Sequence, residues 1–360
     1  MIARRLLHAT WLLGVFGSSN IINLVRSTDL LLNVKLTAGP NTLLLRLSLS
    51  LPYTFIASSL CMTDSCLAIA SNERYNGNNY FTASSDGQQR VVRQDDLYAL
   101  GTNTTQPMTI MGSLFSTVID LNFVNALRVL NMSFPPSYVP GSVIGVFGMG
   151  LANSNAVTRS LLNPAIYRMT VASVPVNQFG IRVYDQPAAD MSTGDQTTAP
   201  ATSLYTSVIV SNVPVWKKDG TWNFELLNFS VGIIPTGGTG QAILTTDTNL
   251  IYIPKAAGAA MAALLGATVV PVGDEDHYTI PCLVAPSKPN LFFATSQGSV
   301  SIPYNRYIKA FPEPCEFYII GKDMFVDGVA VWLLGMQFIR TFYTWYTIDA
   351  ESITFAAPAL

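Results

Sequence analysis

Few side chains in this 360-residue sequence are of a type that does chemistry, and their kinds narrow the choice. Only two histidines occur, His8 and His277. Two imidazoles cannot build a zinc site with several histidine ligands. A serine–histidine–aspartate arrangement would have to use His277, because His8 falls in a leader-like N-terminus. His277 sits in the polar run GDEDHYT, which reads as a surface loop. Asp274, Glu275 and Asp276 offer oxygen ligands for a hard cation such as calcium. A solvated acidic loop accounts for the same triplet, and no metal site and no cofactor is expected. The run GVFGMG at 145–150 is glycine-rich but lacks the Lys-Ser/Thr and the spacing of a phosphate loop. Trp216, Trp222, Trp332 and Trp345 read as core or strand-face residues rather than a sugar-stacking platform.

Composition sets the frame in which any site must be held. Charged residues make up 12% of the chain, about half the usual ~25%. With 49% hydrophobic residues and a net charge of −2, disorder is excluded, because the chain can bury enough apolar surface. Scarce Lys, Glu and Arg exclude a coiled coil, and the absence of a basic run argues against nucleic acid. The length suits one large domain or two lobes of roughly 150–180 residues.

Residues 1–19 carry a basic start, a short apolar core and the small residues Gly17, Ser18 and Ser19, the pattern of a secretory signal. The apolar stretch at 258–272 is shorter than the ~20 residues of a membrane span, so none is expected. Four cysteines, Cys61, Cys66, Cys282 and Cys315, fit an exported chain with two bridges, and their spacing leaves three pairings open. Sequons at Asn103, Asn131 and Asn228 agree with export.

The elements that would position a site are mostly strands. Short apolar or alternating runs such as TLLLRLSLSL, SVIGVFG, FGIRVYD, SLYTSVIV, AILTT, NLIYIP, FYTWYTID and SITFAAP recur between turn signals, including Asp219-Gly220, Gly237-Gly238 and Pro135-Pro136. Helices are expected only over 254–265, near 157–162 and over 336–341. The polar stretch 185–202 has no hydrophobic period and reads as a surface loop or an inter-lobe connection. The expected class is all-β with a few short helices.

Several of these runs, taken in order, resemble the pepsin-like aspartic peptidases. QAILTTDTNLIYIPKAAGAAMAALLGA at 241–267 is similar to that family's second catalytic loop with its flanking strands and helix. WLLGMQFIRTFYTWYTIDAESITFAAPA at 332–359 is similar to its closing segment. In the N-terminal half, FIASSLCMTDSC resembles the first catalytic loop and the disulfide loop after it. SNERYNGNNYFTASSDG resembles the segment that follows, and SVIGVFGMG resembles the family's D-G-I-L-G-L-G. The resemblance covers nearly the whole chain from about residue 30. It implies a bilobal fold, two β-rich lobes around a cleft, divided here as 20–185 and 186–360. It also implies the pairing Cys61–Cys66 and Cys282–Cys315, which would contribute roughly 2 and 4 kcal/mol by loop closure.

The family's chemistry needs an aspartate from each lobe, sharing a proton and holding a water. In the C-terminal loop, Leu250 and Pro254 set the register. They place Thr245 at the aspartate position, Thr246 at the threonine and Asp247 at the glycine. In the N-terminal loop, Ser58-Ser59 match the pair that follows the triad, which places Phe55, Ile56 and Ala57 on it. No carboxylate lies anywhere in 43–62. Ile144 and Met336 stand where the family has further aspartates. The expected cleft floor is therefore Phe55, Ile56, Ala57, Ser58, Ile144, Thr245, Thr246 and Asp247, apolar on its N-terminal side, with Asp247 the one rescue candidate. Little room remains for a flap hairpin after Tyr80, or for a prosegment before residue 30.

The resulting expectation is a secreted or endomembrane-lumen pseudoenzyme that binds a peptide, a protein or a glycan in or near the cleft. The alternatives are a peptidase with an unorthodox site using Asp247, and a structural or surface-coat protein. The sequence does not fix the oligomeric state.

Overall fold

A computed structural model describes residues 20–26, 31–38, 41–67, 69, 75, 84–94, 97–111, 116–130, 143–151, 170–171, 174–175, 177–184, 188–194, 205–310 and 312–359. Over these residues the chain is mostly β, in four sheets with a few short helices. The leader and the region around 157–162 lie outside the described residues.

Both halves are built on the same local plan. In the N-terminal half, the strand Asn41–Ser48 runs parallel to Val143–Gly148, with Leu47 opposite Phe147 and Ser48 opposite Gly148. The strand Phe55–Ala57 lies antiparallel to Val143–Gly148 and parallel to Ser116–Leu130. In the C-terminal half, Gly240–Leu244 runs parallel to Val329–Leu334, with Leu244 opposite Leu334. Ile251–Ile253 lies antiparallel to Val329–Leu334 and parallel to Cys315–Gly321. The apolar runs that form these central strands are buried almost continuously, as strands covered on both faces must be.

A glycine closes each unit. A side chain at Gly148 would sit 2.4 Å from the Tyr53 carbonyl oxygen, and one at Gly335 would sit 2.1 Å from that of Leu250. Tyr53 follows Ser48 by the same interval as Leu250 follows Thr245, so the returning chain crosses both strands at the same place. Only glycine permits that approach.

Between the halves lies a continuous surface. The strands Asn20–Arg26, Ala188–Gly194, Gln178–Val183, Tyr343–Thr347, Ser352–Pro358 and Tyr205–Pro214 join the N-terminal strands in one sheet of thirteen. Within the stretch 185–202, expected to be a surface loop or an inter-lobe connection, Ala188–Gly194 is instead a strand that pairs on both sides, with Asn20–Arg26 and with Gln178–Val183. Its polar composition hid an alternation: Ala189 and Met191 point into the core and are buried.

The helix Lys255–Leu265 begins after Pro254, as expected, and ends at Gly266 in the left-handed conformation, φ 66° and ψ 34°. It is followed by the hairpin Thr268–Val272 with Glu275–Ile280. His277 and the acidic triplet are in or beside that hairpin. Asp274 and Glu275 pair with Lys322, and Asp276 pairs with Lys255.

The stretch after Tyr80, expected to leave little room for a flap hairpin, holds the long antiparallel pair Ser84–Gln94 with Leu97–Met111. Its register runs to Gln94 opposite Leu97.

Both implied disulfides are present, Cys61–Cys66 and Cys282–Cys315, with Cα separations of 5.8 and 5.0 Å. Among the described residues, no helix is long and apolar enough to cross a membrane.

Candidate functional site

The two strand–loop units point their ends at one another. Asn41–Ser48 runs out into Ser48-Leu49-Ser50, and Gly240–Leu244 runs out into Thr245-Thr246-Asp247. Ser48 stands opposite Gly148. The Thr245 amide donates to the Leu334 carbonyl, immediately before Gly335. Ser48 and Thr245 therefore hold equivalent positions, as do Leu49 and Thr246, and Ser50 and Asp247.

Thr246 ties the loops together. Its buried hydroxyl donates to the Leu47 carbonyl at 2.5 Å and accepts from the Leu49 amide at 3.2 Å. Leu49, its counterpart, has no hydroxyl with which to return the contact, so this tie runs in one direction.

Asp247 fills the centre. Its Oδ2 accepts from Ser48 Oγ at 2.6 Å, from Ser50 Oγ at 2.6 Å and from Thr245 Oγ1 at 3.2 Å. The short serine contacts are those of charge-assisted hydrogen bonds to a carboxylate. The hydroxyls are themselves held: Ser48 Oγ accepts from the Leu51 amide at 3.0 Å, and Thr245 Oγ1 from the Asp247 amide at 3.1 Å. Ser48, Thr245 and Thr246 are buried, while Ser50 and Asp247 are partly exposed. Alternation along the strand end puts Ser48 and Ser50 on one face, and that face meets Asp247.

Phe55, expected opposite Thr245, lies instead on the strand that leaves the loop. It follows Ser48 by seven residues, as Tyr252 follows Thr245 by seven. Phe55, Ile56 and Ala57 are fully buried in the N-terminal core, and Ile144 is buried beside them in Val143–Gly148. Ser58 is held by its backbone, its amide donating to the Ala126 carbonyl. None of these five meets Asp247. The structure thus brings together Thr245, Thr246 and Asp247 with Leu47–Ser50, and it makes the N-terminal side of the junction hydroxyl-lined rather than apolar.

Ser48 and Ser50 do carry a local sequence signal. In both halves an apolar strand runs directly into a short polar loop, QAIL into TTD and LLLRL into SLS. The serine pair at 58–59 imitated the family's pair closely enough to draw the register seven residues downstream.

The halves are also joined away from the loops. Trp222 Nε1 donates to the Met149 carbonyl at 2.8 Å. The buried Trp222 ring packs on Phe179 and Tyr346, with centroids 5.8 and 4.9 Å away. Of the sequons, Asn228 is half-buried on Asn228–Val231, Asn103 is on Leu97–Met111, and Asn131 lies outside the described residues.

Residues 52–358 match the family described as "Eukaryotic aspartyl protease". The chain belongs to this family. It is 22% identical over 320 residues to a gastricsin of Macaca fuscata fuscata, covering 85% of this chain and 77% of the relative. Identity to the Homo sapiens gastricsin is 22% over 324 residues, with 85% and 75% covered. A cathepsin E of Oryctolagus cuniculus is 26% identical over 274 residues, with 71% and 61% covered. The N-terminal strand–loop unit lies in the sheet of thirteen strands and the C-terminal unit in a separate sheet of eight.

Proposed function

We propose that this member of the aspartyl protease family is an exported, peptide-binding protein that does not cleave peptides by the two-aspartate route. The observation that carries this reading is the single carboxylate at the junction of the loops. The two-aspartate mechanism needs paired carboxylates that share a proton and hold the attacking water. Here the equivalent positions are Ser48 and Thr245, whose hydroxyls do not ionise in the working range of an acid peptidase. Asp247 sits two residues beyond, and one of its oxygens is engaged by three hydroxyls. The N-terminal loop brings no second carboxylate to it. The two disulfides support an oxidising, exported setting, as do the leader-like first 19 residues and the sequons.

The test is an acid-range cleavage assay, from about pH 2 to pH 7, with a generic protein substrate and a statine-type inhibitor. No inhibitor-sensitive cleavage is expected, and Asp247→Asn should leave that result unchanged. Robust cleavage blocked by the inhibitor and abolished by Asp247→Asn would overturn the reading in favour of a one-aspartate enzyme.

A further inference from the structure

The carboxylate at the loop junction is engaged on one side only. Oδ2 of Asp247 takes three hydroxyl hydrogen bonds, whereas Oδ1 receives none among the described residues. Among the described residues, no lysine or arginine forms an ion pair with Asp247. The residue is partly exposed, while Ser48, Thr245 and Thr246 around it are buried. Ser, Ser and Thr are neutral, so Asp247 is the one carboxylate of the junction, with no counter-ion among the described residues. Three donors on Oδ2 also hold the side chain in one orientation, so the free oxygen is placed before any ligand arrives.

The geometry points to a lysine ammonium, carried by a peptide laid across the loop junction, as the group that Asp247 receives. This rests on the peptide-binding reading above. Lysine suits the site better than arginine. A guanidinium fork needs both carboxylate oxygens for its paired hydrogen bonds, and Oδ2 is already occupied. An ammonium is a point donor that needs one oxygen, and Oδ1 is the one left open.

The experiment is calorimetric titration of the full purified chain with three octapeptides that have blocked termini and alanine–valine flanks. They differ at one central residue: lysine, Nε-acetyl-lysine or arginine. The lysine peptide should bind about tenfold more tightly than the acetyl-lysine peptide, the scale of one hydrogen bond to a charged group. It should bind at least as tightly as the arginine peptide. The lysine preference should shrink at high salt and vanish in Asp247→Asn. Equal binding of the lysine and acetyl-lysine peptides by the unaltered chain would overturn the inference without any variant having to fold. A preference that survives Asp247→Asn would also overturn it, as would a clear advantage for arginine. Failure of all three peptides to bind would overturn the peptide-binding reading itself, whereas binding without charge preference would leave that reading standing.

Discussion

Thr246 shows how much one side chain contributes to the junction. Its hydroxyl satisfies the Leu47 carbonyl and the Leu49 amide, and both lie on the other loop. Thr246→Val keeps the shape but leaves a buried donor and acceptor unpaired, a loss of about 1–3 kcal/mol. Chemical denaturation should show the midpoint falling with an unchanged slope. An unchanged midpoint would mean that water replaces the hydroxyl and that the tie between the loops is weak. Asp247 differs in kind. It is the only charged member of its hydroxyl cluster, so its effects should appear in ligand charge preference more than in cleavage.

At the scale of elements, Tyr278 marks where three of them crowd together. It lies on Glu275–Ile280, and its hydroxyl fills the space left by Gly258 of the helix Lys255–Leu265 and by Gly321 of the strand Cys315–Gly321. Tyr278 Oη has no hydrogen-bond partner among the described residues. Burial, reinforced by the charges of Asp276 and Asp323, pushes the phenol up to about 12. The neutral form is thus favoured in the folded chain. Its contribution to stability is fully present below pH 10, the unfolded value, and is lost as pH rises through about 12. Tyr278→Phe should therefore hold its melting temperature near neutral pH and lose less than the parent between about pH 10 and pH 12. Circular dichroism melts at several alkaline pH values would check this. Parallel losses in the two proteins would assign the alkaline limb to other groups. Tyr307 and Tyr346 are also raised by burial, so the limb should be reduced rather than abolished.

For the whole molecule, the sheet of thirteen strands and the core cluster both run across the two halves. The Trp222–Met149 hydrogen bond and the Thr246 tie cross the same boundary. One buried cluster spans the two halves, so unfolding should be one cooperative event. Calorimetry of the disulfide-intact chain should give a single transition, with van't Hoff and calorimetric enthalpies in agreement. Two resolved transitions would show that each half keeps a core of its own.

Much of this architecture was legible in local sequence. Alternating and continuous apolar runs marked the strands, because burial on one or both faces leaves its period in the chain. Pro254 and Gly266 bracket the helix, because one presets the first turn and the other accepts a left-handed stop. Leu250 and Pro254 fixed the register of Thr245–Asp247. The partner of that loop was not legible. Ser48 and Asp247 lie 199 residues apart, and the polar break after LLLRL competes locally with the serines at 58–59 for the same role. What selects Ser48 is the parallel pairing with Val143–Gly148 and the close crossing that only Gly148 allows. In the same way, Ala188–Gly194 is a strand only because two neighbours pair with it. Sequence determined which segments extend and which turn, since those are short-range preferences. Tertiary structure decided which hydroxyls surround Asp247, since strand register is set by hydrogen bonds and contacts between segments far apart in the chain.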